Sequence, residues 1–292
     1  MLNPATGLHC AGRLLDLSVP RVMGILNITP DSFSDGGQLF TSGHVDLPRV
    51  RALAASMIED GAAILDVGGE STRPGSTRVT EAEELARVVP VIEALASLPV
   101  VVSADTSSPS VMRAAIAAGA GMINDVRALR RPGALAAVAE SDVAICLMHM
   151  RGEPATMQED PAYSDLLAEI THFLQDRVAA CAAVGIARER IVVDPGFGFG
   201  KNTEHNLQLL CELASLVNLG LPVLVGLSRK GTIGQLTGHS DATLRVAGSV
   251  AAAVMAIERG ARIVRTHDVR STVDGIAVAW AVMCAGSQSK GR

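Results

Sequence analysis

Aromatic side chains are scarce in this 292-residue chain: one Trp, one Tyr and five Phe. Proteins that stack nucleic-acid bases need aromatic platforms, and these are too few to build one. Positive charge is not in surplus either. A net charge of -5 offers no general attraction to nucleic acid or to an anionic membrane surface. The five cysteines, Cys10, Cys146, Cys181, Cys211 and Cys284, show no CxxC and no close Cys-His spacing. That pattern speaks against a zinc site or disulfide framework and reads as reduced thiols in a cytoplasmic protein. No uninterrupted apolar run reaches the length of a membrane span. The N-terminal stretch MLNPATGLHCAGRLLDLS lacks the positive region and apolar block of a signal peptide. No GxGxxG follows the first strand and GxxxxGK[ST] is missing, so neither a dinucleotide fold nor a P-loop is expected. GFGFG at 196–200 resembles a phosphate loop only superficially.

What the chain does have is alternation. It is 48% apolar and 19% charged with 28 glycines, the balance of a globular protein. Short apolar runs that suit buried strands begin near 22, 62, 100, 121, 143, 190, 222 and 262. Helix-period segments follow them at 48–59, 81–97, 109–118, 133–139, 162–184, 204–217, 241–258 and 271–283. Ser108 then Pro109 reads as an N-cap and first helical residue. Eight strand–helix alternations without a long linker predict an α/β fold, a single closed (β/α)8 TIM barrel. Residues 1–20 form an arm or short hairpin, 21–285 the barrel and 286–292 a tail. A doubly wound open sheet is the main rival. Polar residues after all eight strands, not at one switch point, count against it.

In a barrel the carboxyl ends of the strands meet at one mouth. That brings together Asn27, Glu70 to Arg73, Asp105, Asn124, Asp125, His149, Asp194, Ser228 to Lys230 and Arg265 to His267. Asp105, Asn124 and Asp194 supply acceptors and one amide donor, a set suited to a flat heterocycle with in-plane N–H groups. Each alone also fits a strand-end residue capping a backbone amide. Lys230 could meet a ring carbonyl. Arg73, Arg265 and His267 are donors for phosphate oxygens, and the start of the last helix, at Ser271, could add N–H groups. Arg265 also fits a plain salt bridge, and His267 a packed histidine. With no zinc-like cluster, the hard oxygen of Asn27 together with phosphate oxygens and waters suits Mg²⁺.

The blocks MGILNITPDSFSDGG, LDVGGESTRPGS, INDV at 123–126, LMHM with a following TMQ, DPGFGFGK, GLSRK and THDV at 266–269 resemble the dihydropteroate synthase family. They run in the family's order over nearly the whole chain. The resemblance implies a homodimeric barrel that joins 6-hydroxymethyl-7,8-dihydropterin pyrophosphate to 4-aminobenzoate with Mg²⁺ and releases pyrophosphate. It implies Asp105, Asn124, Asp194 and Lys230 as pterin ligands, Met148 against the ring, and Asn27 on Mg²⁺. Arg73, Arg265 and His267 are implied for the pyrophosphate, with Asp105, Lys230, Arg265 and His267 as the catalytic set. Phe33, Thr72, Pro74, Gly198, Phe199, Ser228 and Arg229 are implied to frame the aminobenzoate, where sulfonamides compete. The loops carrying Phe33, Asp35 and Thr72 to Pro74 are implied to order over bound substrates. Many members have Ser after the SRK lysine; this chain has Gly231, which leaves the aminobenzoate carboxylate to backbone N–H groups. Arg151 has no role that the sequence alone assigns.

The implied chemistry is ionisation of the pterin C–O bond followed by addition of the aryl amine, with an ionised Asp105 stabilising the cation. No nucleophile and no covalent enzyme intermediate are expected. A methyltetrahydrofolate-type barrel would not need the anion ligands Arg73, Arg265 and His267. A non-catalytic pterin-binding paralogue would be expected to lose them. A phosphate-sugar lyase would need Lys230 as a Schiff base.

Overall fold

The computed structural model describes residues 6–29, 39–41, 44–71, 79–153, 156–158 and 161–289. The chain opens with an antiparallel hairpin, β1 (Gly7–Cys10) and β2 (Arg13–Asp16), which turns through Ala11 and Gly12, both with positive φ. The first barrel strand is β3 (Arg21–Asn27). A minimal antiparallel pair, β4 (Phe40–Thr41) and β5 (His44–Val45), precedes α1 (Leu47–Glu59). Then follow β6 (Ala62–Gly68), α2 (Glu81–Leu95), β7 (Val101–Asp105), α3 (Pro109–Ala117), β8 (Met122–Asp125) and α4 (Ala134–Ala139). The second half runs β9 (Ala144–Met148), α5 (Leu166–Ala183), β10 (Ile191–Asp194), α6 (Thr203–Cys211), α7 (Ala214–Val217) and β11 (Leu224–Gly226). It ends with α8 (Gly231–Thr237), α9 (Val246–Glu258), β12 (Ile263–Thr266) and α10 (Val269–Ser289).

Eight parallel strands stand in the order β10-β9-β8-β7-β6-β3-β12-β11. The ends of that series meet through a single bridge, Val193 to Val223, supported by the Val193 N–H bonding to Pro222 O at 3.0 Å. The result is the expected (β/α)8 barrel, with a seam between β10 and β11. Local signals explain the helices. Thr80 and Glu83 form a reciprocal capping box that starts α2, and Val88, Val91, Ile92 and Leu95 then fall on its buried face.

Several helices differ from expectation: α5 starts at Leu166 rather than 162, and α9 at Val246 rather than 241, behind a 3-10 turn at Ala242–Arg245. The 204–217 segment breaks at Glu212 and Leu213 into α6 and α7, a turn that buries Leu213 and Leu216 completely. Ahead of α9 an additional short helix, α8, begins at Gly231 directly after the SRK segment; Gly238, in the left-handed region, stops it. The last helix starts at Val269 rather than Ser271, and Ser271 is exposed. By length and composition the stretch Val269–Gly286 of α10 is apolar enough to cross a membrane, but it packs along α9 and β3.

Side chains at every second strand position face the barrel axis. The lowest inward layer is apolar: Met23, Ile64, Val101, Met122, Ala144, Val192, Leu224 and Ile263. Leu8, Cys10, Leu15 and Leu17 of the hairpin pack onto that layer, so the N-terminal arm is the plug of the barrel's amino end. This leaves the opposite end as the open mouth.

Candidate active site

Two residues further along the same strand faces, the inward side chains become ionic. Arg265 on β12 donates from Nε to Asp66 Oδ2 at 2.6 Å and from Nη2 to Asp105 Oδ2 at 2.8 Å. Asn124 on β8 donates its Nδ2 to the same Asp66 oxygen at 3.0 Å. Asp66, on β6, is 0% exposed and ties the cation to the amide. Its other oxygen, Oδ1, is buried without a partner, as is Oγ of Ser103, the residue beside it in the β6–β7 register.

Burial pushes the Asp105 carboxyl up to about 8; Arg265 opposes this, and repulsion from Asp66 adds to it. Burial thus favours the protonated Asp105 carboxyl, and the Arg265 cation favours the ionised one. Burial also works against the Arg265 cation, but Asp66 and Asp105 outweigh it and hold the guanidinium well above its ordinary value.

Across the cavity, Asp194 ends β10. Burial raises its carboxyl, and the Gly196 N–H, bonded to Oδ1 at 2.7 Å, together with Lys230 and Lys201 pulls it back. Lys230 lies with Nζ 4.5 Å from the centre of the Phe199 ring and donates to Phe197 O. Burial pushes its amine down to about 8, against the pull of Asp194. Met148 packs with Val126, Met150, Met157 and Phe199, forming an apolar wall. On the remaining side Ser228 Oγ sits 3.0 Å from His267 Nδ1 and accepts from the His267 N–H at 3.1 Å. The strand-seven and strand-eight loops are thus tied together.

One cavity is lined by Asp105, Asn124, Met148, Asp194, Phe199, Ser228, Lys230, Arg265 and His267, to which the structure adds Ile25, Val126 and Gly226. Asn27 ends β3, two residues beyond the cavity-lining Ile25; it is not among the lining residues and is half-buried, with its carboxamide unpaired among the described residues. Gly198 lies behind the cavity, where its N–H bonds Asn206 Oδ1 at 2.8 Å. Arg229 departs most from expectation: its guanidinium makes a two-point pair with Asp268, at 2.9 and 2.5 Å, rather than lining the cavity. Phe33, Asp35, Thr72, Arg73 and Pro74 lie outside the described residues. Arg151 gains a place: it pairs with Glu169 at 2.6 Å and stacks 4.8 Å over Tyr163. Asp66 and Lys201 escape a reading by strand ends. Asp66 lies inside the apolar run AAILDVG; a lone carboxylate on an inward strand position, which must find a partner, is the signal that could have exposed it.

Acceptors and cations set side by side around one cavity with an apolar face describe an enzyme of the barrel class whose pocket takes a flat, donor-rich ring carrying an anionic group. Residues 23–267 match the family of pterin binding enzymes. The chain is 51% identical over 281 residues to the dihydropteroate synthase of Escherichia coli K12, covering 95% of this chain and 97% of that one. The Yersinia pestis dihydropteroate synthase, solved as a sulfonamide drug complex, superposes with a TM-score of 0.91 at 49% identity, over 95% of this chain and 99% of that one. The Xanthomonas albilineans dihydropteroate synthase with 4-aminobenzoic acid gives 0.87 at 53% identity, over 95% and 98%. This chain belongs to the pterin-binding enzyme family, among its dihydropteroate synthases.

Proposed function

We propose that the pocket joins 6-hydroxymethyl-7,8-dihydropterin pyrophosphate to 4-aminobenzoate, giving 7,8-dihydropteroate and pyrophosphate. The observation that carries this reading is the Arg265 bridge: one guanidinium contacts Asp66 and Asp105 and lines the same cavity as Asn124, Asp194 and His267. Asp105, Asn124, Asp194 and Lys230 hold the edge of the pterin, and Met148 covers its face. Arg265 and His267, with Arg73, take the diphosphate. Phe199, Gly198 and Ser228, with Phe33, Thr72 and Pro74, frame the aminobenzoate and the sulfonamides that mimic it; Arg229 supports that wall through Asp268.

In the reaction the methylene C–O bond breaks and its electron pair leaves on the diphosphate oxygen. The positive charge spreads from the methylene into the dihydropterin ring, where the Asp105 carboxylate stabilises it. The amine lone pair of aminobenzoate then forms the C–N bond, and the amine loses a proton to water or to the released diphosphate. The amine needs positioning rather than a strong protein base. Asn27 fits Mg²⁺ as a single neutral oxygen ligand, because that ion keeps most of its shell from substrate oxygens and water, and no group of three or more His, Cys, Asp or Glu suited to a metal occurs among the described residues. When bound, Mg²⁺ neutralises charge on the diphosphate.

A second copy of the chain covers the exposed apolar face of α9 and α10, where Val278 and Val282 are each 68% exposed and Met255 is 41% exposed, making the enzyme a homodimer. Five free thiols, three of them buried, support a reducing cytoplasmic setting. The test is direct: the purified protein is mixed with dihydropterin pyrophosphate and Mg²⁺, with and without aminobenzoate. Pyrophosphate release and dihydropteroate formation in equal amounts are expected. Pyrophosphate release without amine incorporation would sink the reading.

A further inference from the structure

Behind the pocket, Lys201 is fully enclosed at 2% exposure; burial pushes its amine down to about 7, against the pull of Asp194. Its Nζ lies 2.9 Å from Gly196 O, 3.1 Å from Phe199 O and 2.9 Å from His149 Nδ1. An ammonium has three hydrogens, and three acceptors surround it. His149 is itself buried and held neutral, its imidazole pushed far down by burial and by Lys201, so its Nδ1 lone pair can accept. An unbonded buried ammonium would be costly; this one is satisfied.

The loop it holds leaves no carbonyl between 196 and 200 unbound. Gly196 O and Phe199 O take Lys201, Phe197 O takes Lys230, Gly198 O takes Gln158 Nε2, and Gly200 O takes the Tyr163 hydroxyl at 2.8 Å. Gly196, Gly198 and Gly200 all have left-handed φ. A Cβ at Gly196 would run into the His149 carbonyl, and one at Gly200 into that of Arg151. The loop is thus pressed flat on the chain after β9, and two lysines grip it from opposite sides. The consequence falls on one side chain. Phe199 closes the apolar wall and carries Lys230 against its ring.

We propose that Lys201 is a positioning residue for the amine substrate: from outside the pocket it gathers Gly196 O and Phe199 O and thereby sets the Phe199 ring where 4-aminobenzoate docks. This rests on the placement of aminobenzoate against Phe199 given above. Lys201 touches no substrate in this arrangement. The pterin acceptors Asp105 and Asn124 sit on β7 and β8, away from the loop, whereas Asp194 accepts from the Gly196 N–H and Lys230 donates to Phe197 O; the direct bond to Phe199 O is what weights the effect toward the amine substrate.

Steady-state kinetics of the full-length enzyme with both substrates and Mg²⁺ test this. Lys201→Met raises KM for aminobenzoate by about tenfold, while KM for dihydropterin pyrophosphate moves by less than about threefold. Lys201→Arg, which keeps charge and donors, recovers part of the loss. Lys201→Gln, shorter and uncharged but still a donor, serves if the methionine variant does not fold, and shows the same one-sided change. A loss shared equally by both substrates, or no change in the aminobenzoate KM, overturns the proposal. Phe199→Ala separates the two readings. If it leaves the aminobenzoate KM unchanged, the docking site is wrong; if it raises that KM while the Lys201 variants do not, only the role of Lys201 falls.

Discussion

The two ends of the barrel use the same strand faces for opposite purposes. On β6 the step from Ile64 to Asp66, on β10 from Val192 to Asp194 and on β12 from Ile263 to Arg265 turns an apolar layer into an ionic one. The amino end is sealed by the hairpin residues Leu8, Cys10, Leu15 and Leu17. At the other end, charges line a cavity, and just beneath it Asp66 Oδ1 is buried without a hydrogen-bond partner among the described residues. One end supplies stability, and the other stores polar groups whose desolvation is not offset until a ligand arrives. Residues one strand step apart should therefore fail in different ways.

Arg265→Ala should break that division most severely, because Arg265 serves both ends of the account. Turnover is expected to fall by about 10²–10³-fold through lost charge stabilisation. Leaving Asp66 buried without its cation should also cost about 3–5 kcal/mol of stability. Rate assays, inhibition by pyrophosphate and a urea melt check it; unchanged affinity for pyrophosphate would remove Arg265 from the anion site.

Asp105→Asn comes next and should spare stability more than rate. Below pH 8 Asp105 gains a proton and loses the charge that stabilises the cation, while above about 8 Lys230 loses its proton. The wild-type rate should therefore peak in a narrow band near pH 8. In Asp105→Asn the acid limb of the kcat profile should disappear, and kcat should drop by more than pterin affinity does.

At the sealed end the effect should invert. Leu8→Ala removes a completely buried side chain from the plug and should cost about 2–5 kcal/mol by thermal or urea unfolding. Both KM values at 25 °C should stay at wild-type levels. A changed KM would mean that the plug and the mouth are mechanically coupled.

The smallest change is Gly231→Ser. A Cβ there meets nothing within 4 Å, so the hydroxyl can be added without strain. A KM for aminobenzoate lower by about fivefold is expected, the worth of one ordinary hydrogen bond at about 1 kcal/mol. An unchanged value would place the carboxylate elsewhere.

The alternation of strands and helices was open to reading because each element announces itself within a few residues: an apolar run, a cap, a glycine. The mouth was readable for a related reason, since Asp105, Asn124 and Asp194 stand at the ends of strands. Asp66 was hidden by its setting: its cation lies 199 residues away, and nothing local marks the pairing. Lys201 was hidden likewise, because its partners are mostly carbonyls that carry no residue identity. The arm at 1–20 carries no local sign that its Leu8 and Leu17 lie under eight strands. Arg229 shows what a motif leaves unsaid: its guanidinium pairs with Asp268, 39 residues further along the chain.

The seam has a consequence for how this barrel comes apart. With Val193 and Val223 as the one rung joining the first and last staves, the wall is weakest between the strand that ends in Asp194 and the one that leads to Lys230. These two residues hold opposite charges across that gap. On the proposed pterin placement, a heterocycle held across them would work as a hoop, tightening the staves where the backbone fastens them least.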